Sequence, residues 1–359
     1  MSDFTERLRH WSHHRQLLGR RGTSPIEIVR AICGVYSHHP GGPLAIAARM
    51  PDFSPEAFRT LDQPGASLRL PAMRQSVYLL DPERAPTIVA AVLDPPDSPA
   101  WAKRYSQAGR KIPAAEYPAW SREIRERVRE PQPMKGLKSQ LTVPGDKLKF
   151  VLNRMCFERQ MLRVGDAGLA SNTIRYVSLE AWLGRPFPIR EPEAALAELL
   201  RWYLAAFGPA TEKDFRWWAG VTAARSKAAF RAHADLVEVA PDYWLAEPLV
   251  AEWEAHGSSA EGQLDVLPQW DSYTMGYAPE GRARLVDPDH QSALYGKLGA
   301  TRGNGLGAIL VHGRAQGVWF SRRKGKKWEV EVKLFSRLNA AQKRTLNARL
   351  DEIRGWLVG

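Results

Sequence analysis

The stretch that decides the fold is GPATEKDFRWWAGVTAARSKAAFRAH, residues 208–233. It reads as a helix-turn-helix, and its flanks complete a larger unit. A long helix precedes it in EPEAALAELLRWYLAAF (191–207), and LVEVAPDYWLA (236–246) has the apolar arms and central turn of a hairpin. Two helices followed by a short hairpin are the rhythm of a winged helix. The same rhythm occurs upstream. KGLKSQLTVPGDKLKFVLNRM (135–155) gives a short helix, a turn at Pro144-Gly145 and a longer helix starting near Asp146, with MLRVG (161–165) and IRYVSL (174–179) as hairpin arms. Earlier still, SPIEIVRAIC (24–33) carries Ser24 as a helix cap, Pro25 at the first helical position and Glu27 three residues after the cap. GPLAIAARM (42–50), a second Ser-Pro-x-Glu start at Ser54 and the strand-like SVYLL (76–80) follow. Three such units in one chain are a repeat of pattern, not of identity.

The final stretch is different. GAILVHGRAQGVWFSRRKGKKWEVEVKLF (307–335) shows three β runs joined at turn residues, and NAAQKRTLNARLDEIRGWL (339–357) is an amphipathic helix. The expected class is α+β. Three winged helices form a cradle, and a C-terminal β-rich domain is closed by a helix. The divisions are 1–94 (first winged helix with an N-terminal helix), 95–134 (a linker with an exposed helix at REIRERVRE), 135–190 (second), 191–256 (third) and 257–359 (β-domain).

Composition narrows the partners. The 359 residues carry 51 Lys and Arg against 39 Asp and Glu, a net charge of +12, which favours a polyanion. Nucleic acid comes first and an anionic membrane surface second. A GC-rich genome, which inflates Arg, gives the same balance without a partner. No apolar run is long enough for a membrane span, and the polar N-terminus has no secretory pattern. Cys33 and Cys156 lie in apolar surroundings without metal-ligand spacing. The cytoplasm is therefore the expected location. The Gly-rich GATRGNGLG (299–307) lacks the context of a phosphate loop, so no nucleotide cofactor is expected.

Several segments then resemble one family, the bacterial winged-helix DNA glycosylases of the AlkZ and YcaQ type. These are YLAAFGPATEKDFRWWAGV (203–221), LDVLPQWDSYTMGYAPEGRARLVDPDH (264–290), LVHGRAQGVW (310–319) and PAMRQSVYLLD (71–81). The resemblance covers nearly the whole chain. It implies a DNA repair enzyme that hydrolyses the N-glycosidic bond of alkylated purines in duplex DNA and unhooks some interstrand crosslinks. It also implies action as a monomer by water attack, without metal or organic cofactor. Its catalytic segment aligns with GVYSHHP (34–40), where the family has Gln-x-Gln or Gln-x-Asp before a proline. Tyr36 falls on the first Gln and His38 on the second polar residue, while a one-residue shift gives those roles to Ser37 and His39. In MRQSVYLLD, Gln75-Ser76 stands for the family's Gly-Thr and Tyr78 for its His, while Arg74 keeps its Arg.

The chemistry suits these residues. An N7-alkylated purine is cationic, so its glycosidic bond is already weak, and positioning of a water suffices. Neutral imidazole accepts a proton near pH 7. The bland alternative is a polar turn. A metal site fits poorly, because adjacent histidines on a turn point apart and no acidic or thiol partners are suitably spaced. A second pair, His13-His14, reads as part of an exposed N-terminal helix. For DNA contact the candidates are Arg322, Arg323, Lys324, Lys326 and Lys327, a basic turn between Trp319 and Trp328, together with Lys147 among its neighbouring lysines, Arg69 and Arg74. The rival reading keeps the DNA-binding cradle without catalysis, as a lesion binder or regulator.

Overall fold

The structure is a computed structural model. It describes residues 2–96, 98–101, 112–165, 168–171, 173–257, 263–302, 305–324 and 327–358. Helix α1 spans Ser2–Arg15. The next elements are α2 Pro25–Ala31, β1 Val35–Tyr36, α3 Gly41–Ala47, α4 Pro55–Arg59, β2 Leu68–Pro71, β3 Val77–Leu80 and α5 Ala85–Val92. Local chemistry starts these helices where the sequence places them. The Ser24 side chain accepts from the Glu27 N–H and Ser54 from the Ala57 N–H, each satisfying a helix-start donor that has no partner within the helix.

The second group is α6 Tyr117–Arg127, β4 Gln132–Pro133, α7 Met134–Leu137, α8 Leu148–Phe157, β5 Met161–Gly165 and β6 Ile174–Ser178, followed by α9 Leu179–Leu183. Helix α6 lies within the stretch expected to link two units, yet it is more than a linker. Tyr117 and Ile124 are buried in one core with Leu148, Val151, Leu152 and Met155 of α8, and only its other face carries exposed arginines. The third group is α10 Pro192–Phe207, α11 Glu212–Ala219, α12 Ala223–Arg231, β7 Leu236–Ala240 and β8 Tyr243–Ala246. Here Thr211 and Asp214 form a reciprocal cap on α11, which ends at Gly220 with φ +76°, a conformation glycine adopts without strain. Ala210 bridges to Trp244 in the position of a one-residue strand. Helix, short strand, helix, helix and hairpin thus recur three times in chain order.

The pairing of strands joins the first two groups. Their strands make a single six-stranded sheet, β1-β3-β2-β5-β6-β4, and β2 meets β5 at Arg69 opposite Arg163. After α13 (Val250–Ala255), the C-terminal region contributes β9 Leu264–Leu267, α14 Ser272–Met275, α15 Pro288–Arg302, β10 Gly307–Val311, β11 Arg314–Lys324, β12 Lys327–Leu334 and α16 Ala340–Val358. Its four strands pair antiparallel in the order β12-β11-β10-β9. Helix α16 lays Leu346, Leu350, Ile353 and Leu357, one apolar stripe, over Leu264, Val266, Ile309 and Val311.

Helix α1 is not the exposed helix its polar sequence suggests. Trp11 and His13 are fully buried, and His13 Nε2 lies 2.8 Å from the Asp265 carboxylate of β9. Nearby, Arg49 after α3 is wholly enclosed. Its Nη atoms bond both oxygens of Asp271 at 2.7 and 2.8 Å, and its remaining donors reach the Gln16 and Ala45 carbonyls and the Ser272 hydroxyl. Arginine has five N–H donors and all five are used. Removing one partner strands a buried charge, so Arg49→Ala is expected to lower unfolding free energy by about 3–5 kcal/mol. Urea unfolding measures it, and a loss under about 1 kcal/mol would show that the pair does not hold these segments together.

Candidate functional site

The histidine loop follows β1, whose backbone pairs with β3, Tyr36 facing Tyr78. It borders a cleft of about 370 Å³ lined by Tyr36, Ser37, His38, His39, Arg163 and Thr173, among others. All four residues of the two alternative catalytic pairs therefore reach one cavity, but their environments differ sharply.

His39 is buried, and both ring nitrogens are engaged. An Arg69 guanidinium N–H donates to Nε2 at 3.0 Å, so Nδ1 must carry the proton, which it donates to the Leu169 carbonyl at 2.9 Å. Burial first, then the Arg69 cation, push its pKa down to about 4. His38 sits beside it with the opposite character. Its ring is exposed and makes no hydrogen bond within the described structure, although its backbone carbonyl accepts from the Gly42 N–H at 2.7 Å. It stacks on Tyr36 at 6.4 Å between ring centres and meets Trp270 edge-to-face at 5.2 Å. Partial desolvation holds its pKa below the ordinary 6.5.

Tyr36 is half-buried. Its hydroxyl pKa is raised chiefly by burial, and Ser76 hydrogen-bonds it. Ser76 and Tyr78 thus serve as supports for the Tyr36 ring, which meets Tyr78 edge-to-face at 5.8 Å. Gln75, which stands where the family has Gly, is exposed and does not line the cleft.

The β5–β6 hairpin of the second group closes one side. Leu169, in the β5–β6 connection, is buried in the core of the first group with Ile28, Val29 and Phe58. That insertion brings its carbonyl to His39. Trp270, which the sequence reading did not single out, completes the surroundings from the C-terminal region. Its signal was the aromatic residue directly before Asp271.

The expected DNA contacts divide. Arg69 is buried (7% exposed), and its guanidinium is committed to Asp62 at 2.7 Å and to His39; it braces the loop and is not presented to phosphate. Arg74 lies 4.2 Å over the Trp217 ring and docks the β2–β3 turn on α11. The β11–β12 hairpin does expose Arg322, Arg323 and Lys324, but Arg322 pairs with Glu329 and Glu331, and Lys324 with Glu329. Such surface pairs are weak and exchange readily for phosphate. Trp319 is a core residue, 4% exposed, so it cannot stack on a base. Lys147 precedes α8 and is half-buried; Lys326 and the side chain of Lys327 lie outside the described residues. Among the described residues there is no cluster of potential metal ligands. No helix there is long and apolar enough to cross a membrane.

With this geometry in view, the family profile described as DNA glycosylase AlkZ-like matches residues 34–356. The chain belongs to the AlkZ-like DNA glycosylase family. Its backbone is also similar to that of the Streptomyces sahachiroi DNA glycosylase AlkZ, with a TM-score of 0.77 over 98% of this chain and 96% of that one, at 19% identity. That likeness extends the shared fold through the N-terminal helix, which the family match leaves out. No curated protein sequence matches the chain. The histidine loop of this chain therefore holds one locked histidine and one whose ring has no hydrogen-bond partner among the described residues.

The locked histidine makes folding depend on pH. The folded state holds His39 neutral down to about pH 4 while the unfolded chain protonates near 6.5, so the unfolded state binds more protons in that window. Stability should fall as pH drops from about 6.5 to 4, by a few kcal/mol from this residue. His39→Gln should flatten the decline in urea unfolding measured across that range. An unchanged slope would place the titration elsewhere.

Proposed function

We propose that the protein is a monofunctional glycosylase that hydrolyses the N-glycosidic bond of an alkylated purine in duplex DNA, with His38 holding the attacking water. The observation that carries this reading is the contrast between the two histidines. The Nε2 lone pair of His39 already accepts from Arg69, which leaves nothing to take a proton from water. His38 borders the same cleft with an uncommitted ring. Its depressed pKa keeps the imidazole neutral at pH 7, as a general base requires. Tyr36 orients the water or the base beside it, and Ser37 takes no direct part.

The labile cationic leaving group makes this arrangement sufficient. The water needs placement and a proton acceptor, and the departing base needs no strong acid. The protein needs no metal or organic cofactor for this. The three helix–helix–hairpin groups are read as tandem winged helices cradling the duplex, with the protein acting as a monomer. The basic β11–β12 hairpin and Lys147 contact phosphate. Action on interstrand crosslinks and a place in base excision repair follow from the same reading.

Duplexes carrying N7- and N3-alkylated purines, scored for abasic sites under single-turnover conditions, test the proposal. His38→Ala should slow base release by roughly a hundredfold or more with unchanged Tm and DNA affinity. The wild-type rate should rise with pH, reach its midpoint below 6.5 and be level by pH 7. Undiminished release by His38→Ala would return the histidine pair to the status of a polar turn. No release from any duplex, with tight lesion binding, would favour a binder without catalysis.

DNA affinity gives a second test. Arg322, Arg323 and Lys324 changed together to Ala should weaken binding to all sequences and reduce the salt slope by up to about 0.9 per lost phosphate contact. An unchanged slope would show that this hairpin does not touch the backbone.

A further inference from the structure

We infer that Trp270 is a positioning residue for His38: its indole, delivered from the C-terminal region, braces the Tyr36–His38 pair from behind and fixes where the imidazole can hold water. The inference rests on the role proposed for His38 and goes beyond it, because it assigns a part of the site to a segment more than 200 residues away.

Ring contacts restrain the His38 side chain. Among the described residues its nitrogens have no hydrogen-bond partner and it is open to solvent, so its rotamer is set by packing. Two rings supply that packing: Tyr36, roughly parallel at 25°, and Trp270, nearly perpendicular at 89°. Trp270 also meets Tyr36, with centres 5.1 Å apart, so one indole touches both members of the pair. It does not line the cleft itself, which leaves the cavity to substrate.

Trp270 is itself firmly placed. It has a positive φ of 60°, a conformation that a bulky residue keeps only when its surroundings impose it. Its N–H donates to the Gly305 carbonyl at 3.0 Å. The next residue, Asp271, is clamped on both oxygens by Arg49. The fit of this turn against the loop is close: a Cβ on Gly41, just past the histidines, would come within 3.3 Å of the Gln269 carbonyl. Arg49 therefore fixes the turn and the turn fixes the indole. The indole in turn limits the imidazole.

Removing the indole has two consequences. The imidazole gains freedom, which lowers the population in the working orientation. It also gains water, which moves its titration toward the ordinary value. The other titratable or charged groups around His38 are Tyr36 on β1, His39 in the loop with Arg69 behind it, and Arg163 on β5 across the cleft. A change at Trp270 removes none of these groups, though Tyr36 loses the same ring contact as His38.

The experiment is a double-mutant cycle on the full-length protein. Single-turnover base release from an N7-methylguanine duplex is followed between pH 5 and 8 for wild type, Trp270→Ala, Trp270→Phe, His38→Ala and the Trp270→Ala/His38→Ala pair. Thermal unfolding and DNA affinity are measured alongside. Trp270→Ala should slow release by roughly ten- to a hundredfold and move the acid limb up toward 6.5. Trp270→Phe should restore most of the rate and the position of the limb. In the His38→Ala background the Trp270 change should cost far less, only what it contributes through Tyr36, because its main partner is gone. Independent, multiplicative losses, or an unmoved acid limb in Trp270→Ala, overturn the inference while leaving His38 in its role. Full release by His38→Ala overturns that role and this inference together. If Trp270→Ala does not fold, the acid limb of Trp270→Leu decides in its place.

Discussion

The structure turns on one enclosed guanidinium. Arg49 meets the segment after α1 through the Gln16 carbonyl, its own helix through Ala45, and the C-terminal region through Asp271 and Ser272. A buried ion pair of this kind contributes little net stability over a well-packed apolar substitute, since both charges lose their water. What it does supply is register. Five donors in a planar fork accept one arrangement of acceptors, so three distant segments meet in one way only. His13 on Asp265 repeats the device at the other end of the same turn, where Asp265 also accepts from the Gly19 N–H at 2.8 Å. The candidate site lies within reach of this joint, since Gly41 and Trp270 are its immediate neighbours.

The cleft is a product of assembly and not of any single unit. The first group supplies the histidine loop, the second inserts Leu169 and contributes Arg163, and the C-terminal region adds Trp270 behind them. The shared six-stranded sheet keeps the first two in step, because Arg69, which bonds His39, is also the strand residue opposite Arg163. A single arginine thus serves as strand pair, salt-bridge partner of Asp62 and holder of the histidine.

Much of this was legible in the chain. The helix starts at Ser24 and Ser54, the turn-helix at 211–231 and the hairpins follow from capping chemistry and hydrophobic period, which are local. The resemblance also singled out residues 36–39, and these line a cleft. What escaped is set by distant contacts. Whether His38 or His39 is uncommitted depends on an arginine 30 residues on and a carbonyl 130 residues on. Arg69 resembles any basic residue in a basic protein until Asp62 and His39 claim it. Polar α1 reads as a surface helix because nothing near it in sequence announces Asp265. Helix α6 reads as a linker because its few apolar residues gain a core only when α8 packs on them.

The split within the histidine loop bears on how such a site can change over time. Two kinds of attachment occupy neighbouring positions: His39 is tied into the fold by hydrogen bonds, and the His38 side chain meets it through contacts with the Tyr36 and Trp270 rings. A substitution at 39 disturbs Arg69, Asp62 and the inserted β5–β6 connection together. One at 38 alters the ring that borders the cleft and leaves the hydrogen bonds around it intact. Imidazole, carboxamide and carboxylate can then replace one another there with little damage to the scaffold. A lineage can vary the cleft one residue at a time, on a loop whose shape is held by the residue next door.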